Sequence, residues 1–237
     1  MSLADVRAEV STRVSDLRLN LDLIKDLESP DPLTPDANSV LILRGLYFVH
    51  LYSLIEYTIN HAVVESLRYI KTLGPPYQVL VEEFLSLALD ADFSSLAAGS
   101  GKKWDKRLAL IHKQRSLDSC AVNEAVLGQD LQNIWCETMR LVFKCFAIGG
   151  PVFPDPSYEP FFDEIVNKRN AVAHGRETAA RMGRGTRSPD LLVRFNAVSS
   201  TCNYVLDRFD VYLRNLEFVR ISERPAFRAR LGVLAPP

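Results

Sequence analysis

The sequence predicts an all-α protein. Apolar residues recur every three or four positions along most of the chain, and the segment from Asn38 to Leu73 is apolar around much of a helical circumference. No segment shows the apolar–polar alternation, bounded by turn residues, of a half-buried strand.

Val6, Val10, Val14, Leu17, Leu21 and Ile24 mark an amphipathic helix over Ser2–Leu27, ended by Pro30, Pro32 and Pro35. A long central helix follows from Asn38 to about Leu73, where Gly74-Pro75-Pro76 stops it. Tyr77 to Leu89 reads as a third helix, Asp90 to Gly101 as a loop, and Trp104 to Arg115 as a short basic helix. Leu131, Ile134, Trp135, Met139, Val142, Phe143 and Phe146 place another helix over Leu127–Ile148. Prolines and glycines make residues 149–160 an irregular connector. Phe161 to His174 forms a helix, Gly175 to Ser188 a loop, and Pro189 to about Val219 a final long helix with proline in its first turn. No internal repeat is present. The expected organisation is one domain over 1–237: an N-terminal helix and Pro-rich turn (1–35), central helices (36–148), the connector (149–160), a helix–loop–helix segment (161–220) and a tail (221–237).

The net charge of −1 hides an asymmetry. Between Lys168 and Arg194 seven basic residues face only Glu177 and Asp190, and between Lys102 and Arg115 six face only Asp105. An acidic body with two basic segments suits a protein that meets polyanions at particular places. Cys120, Cys136, Cys145 and Cys202 lack C-x-x-C pairing and zinc-ligand spacing, so buried free thiols are expected, with no metal and no cofactor. The N-terminus has no secretion signal, and the most apolar stretch, Leu46–Val64, is interrupted by His50, Glu56, Asn60 and His61; the expectation is a cytoplasmic protein that does not span a membrane.

The chemistry-bearing string is Arg169-Asn170-Ala171-Val172-Ala173-His174-Gly175, followed by Arg176, Arg181, Arg184 and Arg187. Histidine exchanges protons near neutrality, and arginine offers a permanent charge and a planar donor fork that fits phosphate oxygens. With 20 Arg and 4 His in the chain, an Arg several residues before a His arises by chance, as in Arg44…His50 and Arg107…His112. Context separates the third copy: the amide beside the arginine, small Ala171 and Ala173, the Gly175 stop, and the charge that follows. On a helix Asn170 and His174 share a face, whereas Arg169 and His174 lie about 140° apart. Either the helix frays at His174 before a Gly175 cap, or two copies of the motif meet across a twofold axis.

Glu56 shares a stripe with Tyr52 and Asn60, and either orients Arg169 or His174 from behind or belongs to a purely structural network. His50 and His61 fit helix packing better than ligation. Arg107 and His112 form a reserve basic site on a helix, for nucleic-acid contact or plain solvated charge. Gly99-Ser100-Gly101-Lys102 lacks the first glycine and the Ser/Thr of a P-loop, and no G-x-S-x-G or H-E-x-x-H string occurs. Lys168, Arg176, Arg181, Arg184 and Arg187 are the candidate RNA-binding residues, against the duller reading that surface loops often carry scattered arginines.

The helix containing Gly45-Leu46-Tyr47-Phe48-Val49-His50-Leu51-Tyr52-Ser53-Leu54-Ile55-Glu56, followed by the R-N-x-x-x-H string at a helix end, resembles the HEPN superfamily of helical nucleases, and more narrowly its RiboL-PSP-HEPN branch, met in bacterial toxin and phage-defence settings. The resemblance spans roughly Asn38 to Val219. It implies a HEPN-type helical bundle with extra helices that dimerises through the motif face, and metal-independent RNA cleavage at a composite site. By that likeness Arg169 binds the scissile phosphate, Asn170 orients the histidine or the phosphate, and His174 acts as general base or acid. The products would be a 2′,3′-cyclic phosphate and a 5′-hydroxyl. Expected partners are RNA, a second copy of the chain, and an antitoxin or other regulatory protein. Some toxin members carry a tyrosine two residues after the histidine, the target of modification by their antitoxin; Arg176 stands here, which puts that regulation in doubt. The alternatives are a non-catalytic RNA- or nucleotide-binding helical module, and an interaction bundle in which Arg169 and His174 only cap and pair.

Overall fold

The computed structural model describes residues 2–99 and 101–232. Ser100 of the Gly-Ser-Gly-Lys string and residues 233–237 of the predicted tail lie outside them. The helices in order are α1 (Leu3–Leu27), α2 (Asn38–Leu73), α3 (Glu82–Ala88), α4 (Asp90–Ala97), α5 (Lys103–Gln114), α6 (Cys136–Cys145), α7 (Glu159–Ala173), α8 (Ala179–Met182), α9 (Ser188–Arg214) and α10 (Arg224–Arg230). Among the described residues there is no strand, and the β pairing amounts to two isolated bridges, Pro76–Ser119 and Leu80–Val219. The fold is all-α, as predicted.

The departures from the predicted elements have local causes. Residues 77–81 form a 3-10 turn and an extended step, because Val81 N–H donates to Phe218 O (3.0 Å) and Val79 O accepts from Arg220 N–H (2.8 Å), using groups a helix would need. Asp90–Ala97 is helical, its alanines and first-turn acids outweighing its small, polar look. The helix read over 127–148 shrinks to α6, because Thr138 Oγ1 bonds both Asn133 O (3.1 Å) and Trp135 N (3.4 Å) and holds residues 133–135 out of helix. Residues 175–188 hold α8 within the expected loop, and the tail begins with α10. The last long helix stops at Arg214, where Leu216 takes φ 56° and Glu217 N–H reaches back to Tyr212 O (2.9 Å).

Two compact units emerge. The first holds residues 1–61, 130–139 and 151–206. Here α1 buries Val6, Val10, Leu17, Leu21 and Ile24, α2 buries Tyr47, Phe48, Leu51, Tyr52 and Ile55, α7 buries Phe162, Ile165 and Val166, and α9 buries Leu191, Val198 and Val205. The turn between α1 and α2 closes over a buried charge cluster. Arg44 binds Glu28 (2.7 Å) and Asp36 (2.5 Å), with all three side chains under 8% exposed. Glu28 also accepts from Ser188 N–H (2.8 Å) and its hydroxyl (2.7 Å), tying the start of α9 to the end of α1.

A backbone bond from Ser29 and the Arg44 guanidinium hold the Asp36 carboxyl below its usual range, against the opposing effect of burial. With a depressed folded pKa, Asp36 contributes stability above the ordinary carboxylate pKa and loses it as pH falls through the folded value. Acid titration followed by circular dichroism should show stability declining below about pH 4, with a smaller decline for Asp36→Asn.

Gly45 lets α8 approach α2: a Cβ there would lie 1.9 Å from Ala179 O, and one on Gly183 would lie 2.1 Å from Leu41 O. Gly45→Ala is expected to push α8 off and open Arg181 and Arg184 to trypsin; wild-type cleavage rates in the variant would contradict the docking.

The second unit comprises residues 62–129, 140–150 and 207–237. Phe84, Phe146, Phe209, Tyr212, Phe218 and Phe227 interlock edge-to-face or tilted, with Phe146–Phe209 at 5.1 Å. None of the four cysteines forms a disulfide, and burial pushes the thiols up to about 11 at Cys120 and about 12 at Cys202, which makes both inert. α2 is long and apolar enough by composition to cross a membrane, with half of its most apolar window buried within the fold.

Candidate functional site

The site is assembled within the first unit. α7 starts with Pro160 in its first turn and buries Phe162, Ile165, Val166 and Asn170 on one stripe. It ends in a double-bonded cap: Gly175 adopts φ 66°, Gly175 N–H bonds Val172 O (3.1 Å) and Arg176 N–H bonds Ala171 O (2.9 Å). His174 N–H still bonds Asn170 O (3.1 Å), so the helix stops cleanly rather than fraying. The cap fixes the His174 backbone at the helix end and leaves its ring exposed, with no hydrogen bond or ion pair among the described residues. Gly175→Val is expected to destabilise the fold by about 1–2 kcal/mol, read by denaturant titration, because a branched residue resists positive φ.

Arg169 is held from four directions. Its guanidinium stacks over the Tyr52 ring (4.2 Å), one amino group donates to Asn170 Oδ1 (2.7 Å) and Asn133 Oδ1 (3.2 Å), and the other stands 3.8 Å from Glu56 Oε1. Tyr52 is buried, and its hydroxyl accepts from Ile134 N–H (3.1 Å). Burial pushes the phenol above its ordinary pKa, so it stays neutral at physiological pH. The Asn60 side chain bonds the Glu56 backbone carbonyl (2.9 Å) and does not reach Arg169. Glu56 thus contacts Arg169 and not His174. The geometry gathers Arg169, Asn170, Glu56, Tyr52 and Asn133, and presents His174 unpinned at the end of the same helix.

The basic residues divide into two groups. Lys168 pairs with Glu164 (2.9 Å), lies over the Phe48 ring (4.0 Å) and donates to Thr186 Oγ1 (3.3 Å). Arg187 donates to Ser29 O (2.5 Å) and sits 3.6 Å from Glu28. These two cations tie the 175–188 segment to α7 and to the end of α1. Arg176, Arg181 and Arg184 are exposed, Arg181 pairing with Glu177 (3.1 Å).

Among the other candidates, Arg44 belongs to the buried charge cluster, His50 bonds Asn20 (3.2 Å), and His61 stacks on Tyr57 (4.0 Å), which are packing roles. Asn133 was not singled out from sequence; it sat inside a predicted helix, and the polar Gln132-Asn133 pair breaking an apolar stripe was the one available signal. Among the described residues no three or more His, Cys, Asp or Glu side chains gather as metal ligands.

The RiboL-PSP-HEPN family model matches residues 9–210, most of the chain and all of the site. The chain belongs to the RiboL-PSP-HEPN family, within the HEPN superfamily of helical proteins. Membership supports an RNA-related role. No curated protein and no solved structure matches the chain.

Proposed function

We propose that the protein is a metal-independent endoribonuclease, a toxin or phage-defence effector of the cytoplasm, working as a homodimer whose two motifs line one cleft. The observation that carries the reading is the Arg169 guanidinium, fixed by Tyr52, Asn133, Asn170 and Glu56 at the helix end that presents His174. Cleavage of an RNA linkage without a metal needs charge stabilisation at phosphorus and proton transfer. In the proposed step the 2′-oxygen attacks phosphorus and the bond to the 5′-oxygen breaks. His174 of one copy takes the 2′-hydroxyl proton, and His174 of the other protonates the departing 5′-oxygen. Arg169 neutralises the charge on the equatorial oxygens, exchanging its weak 3.8 Å contact with Glu56 for the phosphate. Asn170 keeps one guanidinium amino group directed, and Arg176, Arg181 and Arg184 contact the flanking backbone. An antitoxin or other regulatory protein is the proposed restraint.

Purified protein is expected to cut RNA in EDTA, with cleavage falling steeply as salt rises. A chelator that abolishes cutting would overturn the metal-independent step. A second reading, a non-catalytic RNA- or nucleotide-binding module, is favoured by one observation: among the described residues the His174 ring has no orienting partner, whereas a working base is usually held by a third group. Salt-sensitive binding without product at any pH from about 6 to 9 would select it.

A further inference from the structure

Neither α4 nor α5 buries a residue fully, yet α5 is strongly two-faced. Its inward cations are engaged: Lys106 donates to Ser95 O (3.0 Å) and Lys113 to Asp92 (2.7 Å). The outward face carries Trp104, Leu108 and Ile111 at i, i+4 and i+7, exposed by 47–70%. Around them stand Lys103, Arg107 and Arg115, exposed, with Arg107 lying against the indole (4.9 Å). An apolar stripe at that spacing is what a helix presents to another helix. Trp104 is the one ring on the stripe and is already covered on one side by Arg107, and aliphatic Leu108 and Ile111 beyond it offer a nucleobase nothing to stack on, which disfavours RNA as the occupant.

The complementary surface is on this same chain. α1 buries Val6, Val10, Leu17, Leu21 and Ile24, and its opposite side carries Leu19, Leu23 and Leu27 at steps of four, exposed by 50–69%. Asp16, Asp22 and Asp26 line that leucine ridge, all exposed. Among the described residues Asp22 pairs with Arg18 at 3.5 Å, and no ion pair engages Asp16 or Asp26. One face is apolar and acidic, the other apolar and basic.

We propose that α5 of one copy docks on α1 of a second copy, Trp104, Leu108 and Ile111 packing along Leu19, Leu23 and Leu27, and Arg107 and Arg115 meeting Asp16 and Asp26. The contact joins two different surfaces, so it propagates from copy to copy and closes into a ring or grows as an open chain. It is independent of the ribonuclease reading and uses none of its residues.

The test is sedimentation velocity of the full chain over a range of concentration and salt. The wild type is expected to form species larger than a dimer as concentration rises, and to lose them as salt rises. Arg107→Glu/Arg115→Glu and Asp16→Lys/Asp26→Lys should each weaken this association by about tenfold or more, with melting curves unchanged because the positions are exposed. An equimolar mixture of the two variants should restore it, since each supplies the charge the other lacks. Variants that sediment like the wild type, or a mixture that stays dissociated, would overturn the proposal. So would an Arg107→Glu/Arg115→Glu chain that loses binding to anionic vesicles or to RNA while self-association is unchanged.

Discussion

Arg169→Ala is expected to lower RNA cleavage by about 10²–10³-fold while leaving the fold intact. The guanidinium is largely covered yet sits at the rim of the first unit, so its removal leaves no unpaired charge in a core: Glu56 is itself partly exposed and returns to water. Arg169→Lys should recover little. A lysine keeps the charge but has one nitrogen in place of two, so it cannot meet Asn170 and Asn133 with one amino group and Glu56 or a phosphate with the other, and it lacks the guanidinium carbon that lies over Tyr52. The measurement is single-turnover cleavage of a labelled RNA beside thermal melting. A lysine variant with wild-type rate would mean that charge alone matters and that the four-sided clamp is irrelevant to function.

Arg44→Ala should be the most destabilising single change, by about 3–5 kcal/mol. It strands the Glu28 and Asp36 carboxylates, each under 8% exposed, without their shared cation. Glu28 also anchors Ser188 and approaches Arg187, so the lesion reaches the start of α9 and the segment that carries α8. Denaturant unfolding reads the loss directly. Stability within about 1 kcal/mol of wild type would show that the cluster is not the fastening inferred here.

Much of the fold was legible where chain chemistry and tertiary context agree. Ser2 caps α1 in a reciprocal box with Asp5, and prolines bracket α2, so both helices lie where their apolar periods put them. Legibility failed where distant backbone decided the outcome. The 79–81 step is drawn out by residues 218–220, and residues 133–135 are held by Thr138 and by the Tyr52 hydroxyl. Helix stops at Ala147 and Leu216 use positive φ without glycine, which removes the usual signal. At the site, the Tyr52–Glu56 stripe and the Arg169-Asn170 pair were visible as patterns, but their meeting was not. Lys168 and Arg187 looked like solvent-facing cations because Phe48, Glu28 and Ser29, which hold them, lie far away in sequence.

The central claim is that Arg169 and His174 act on one ribose-phosphate linkage. Its most direct test is analysis of product ends after RNA is incubated in chelator with the wild type and with His174→Ala. The account predicts 2′,3′-cyclic phosphate and 5′-hydroxyl ends from the wild type, and cleavage lower by about 10²–10⁴-fold in the variant at unchanged melting temperature. Cleavage by His174→Ala at the wild-type rate, or 3′-hydroxyl and 5′-phosphate ends, would contradict it.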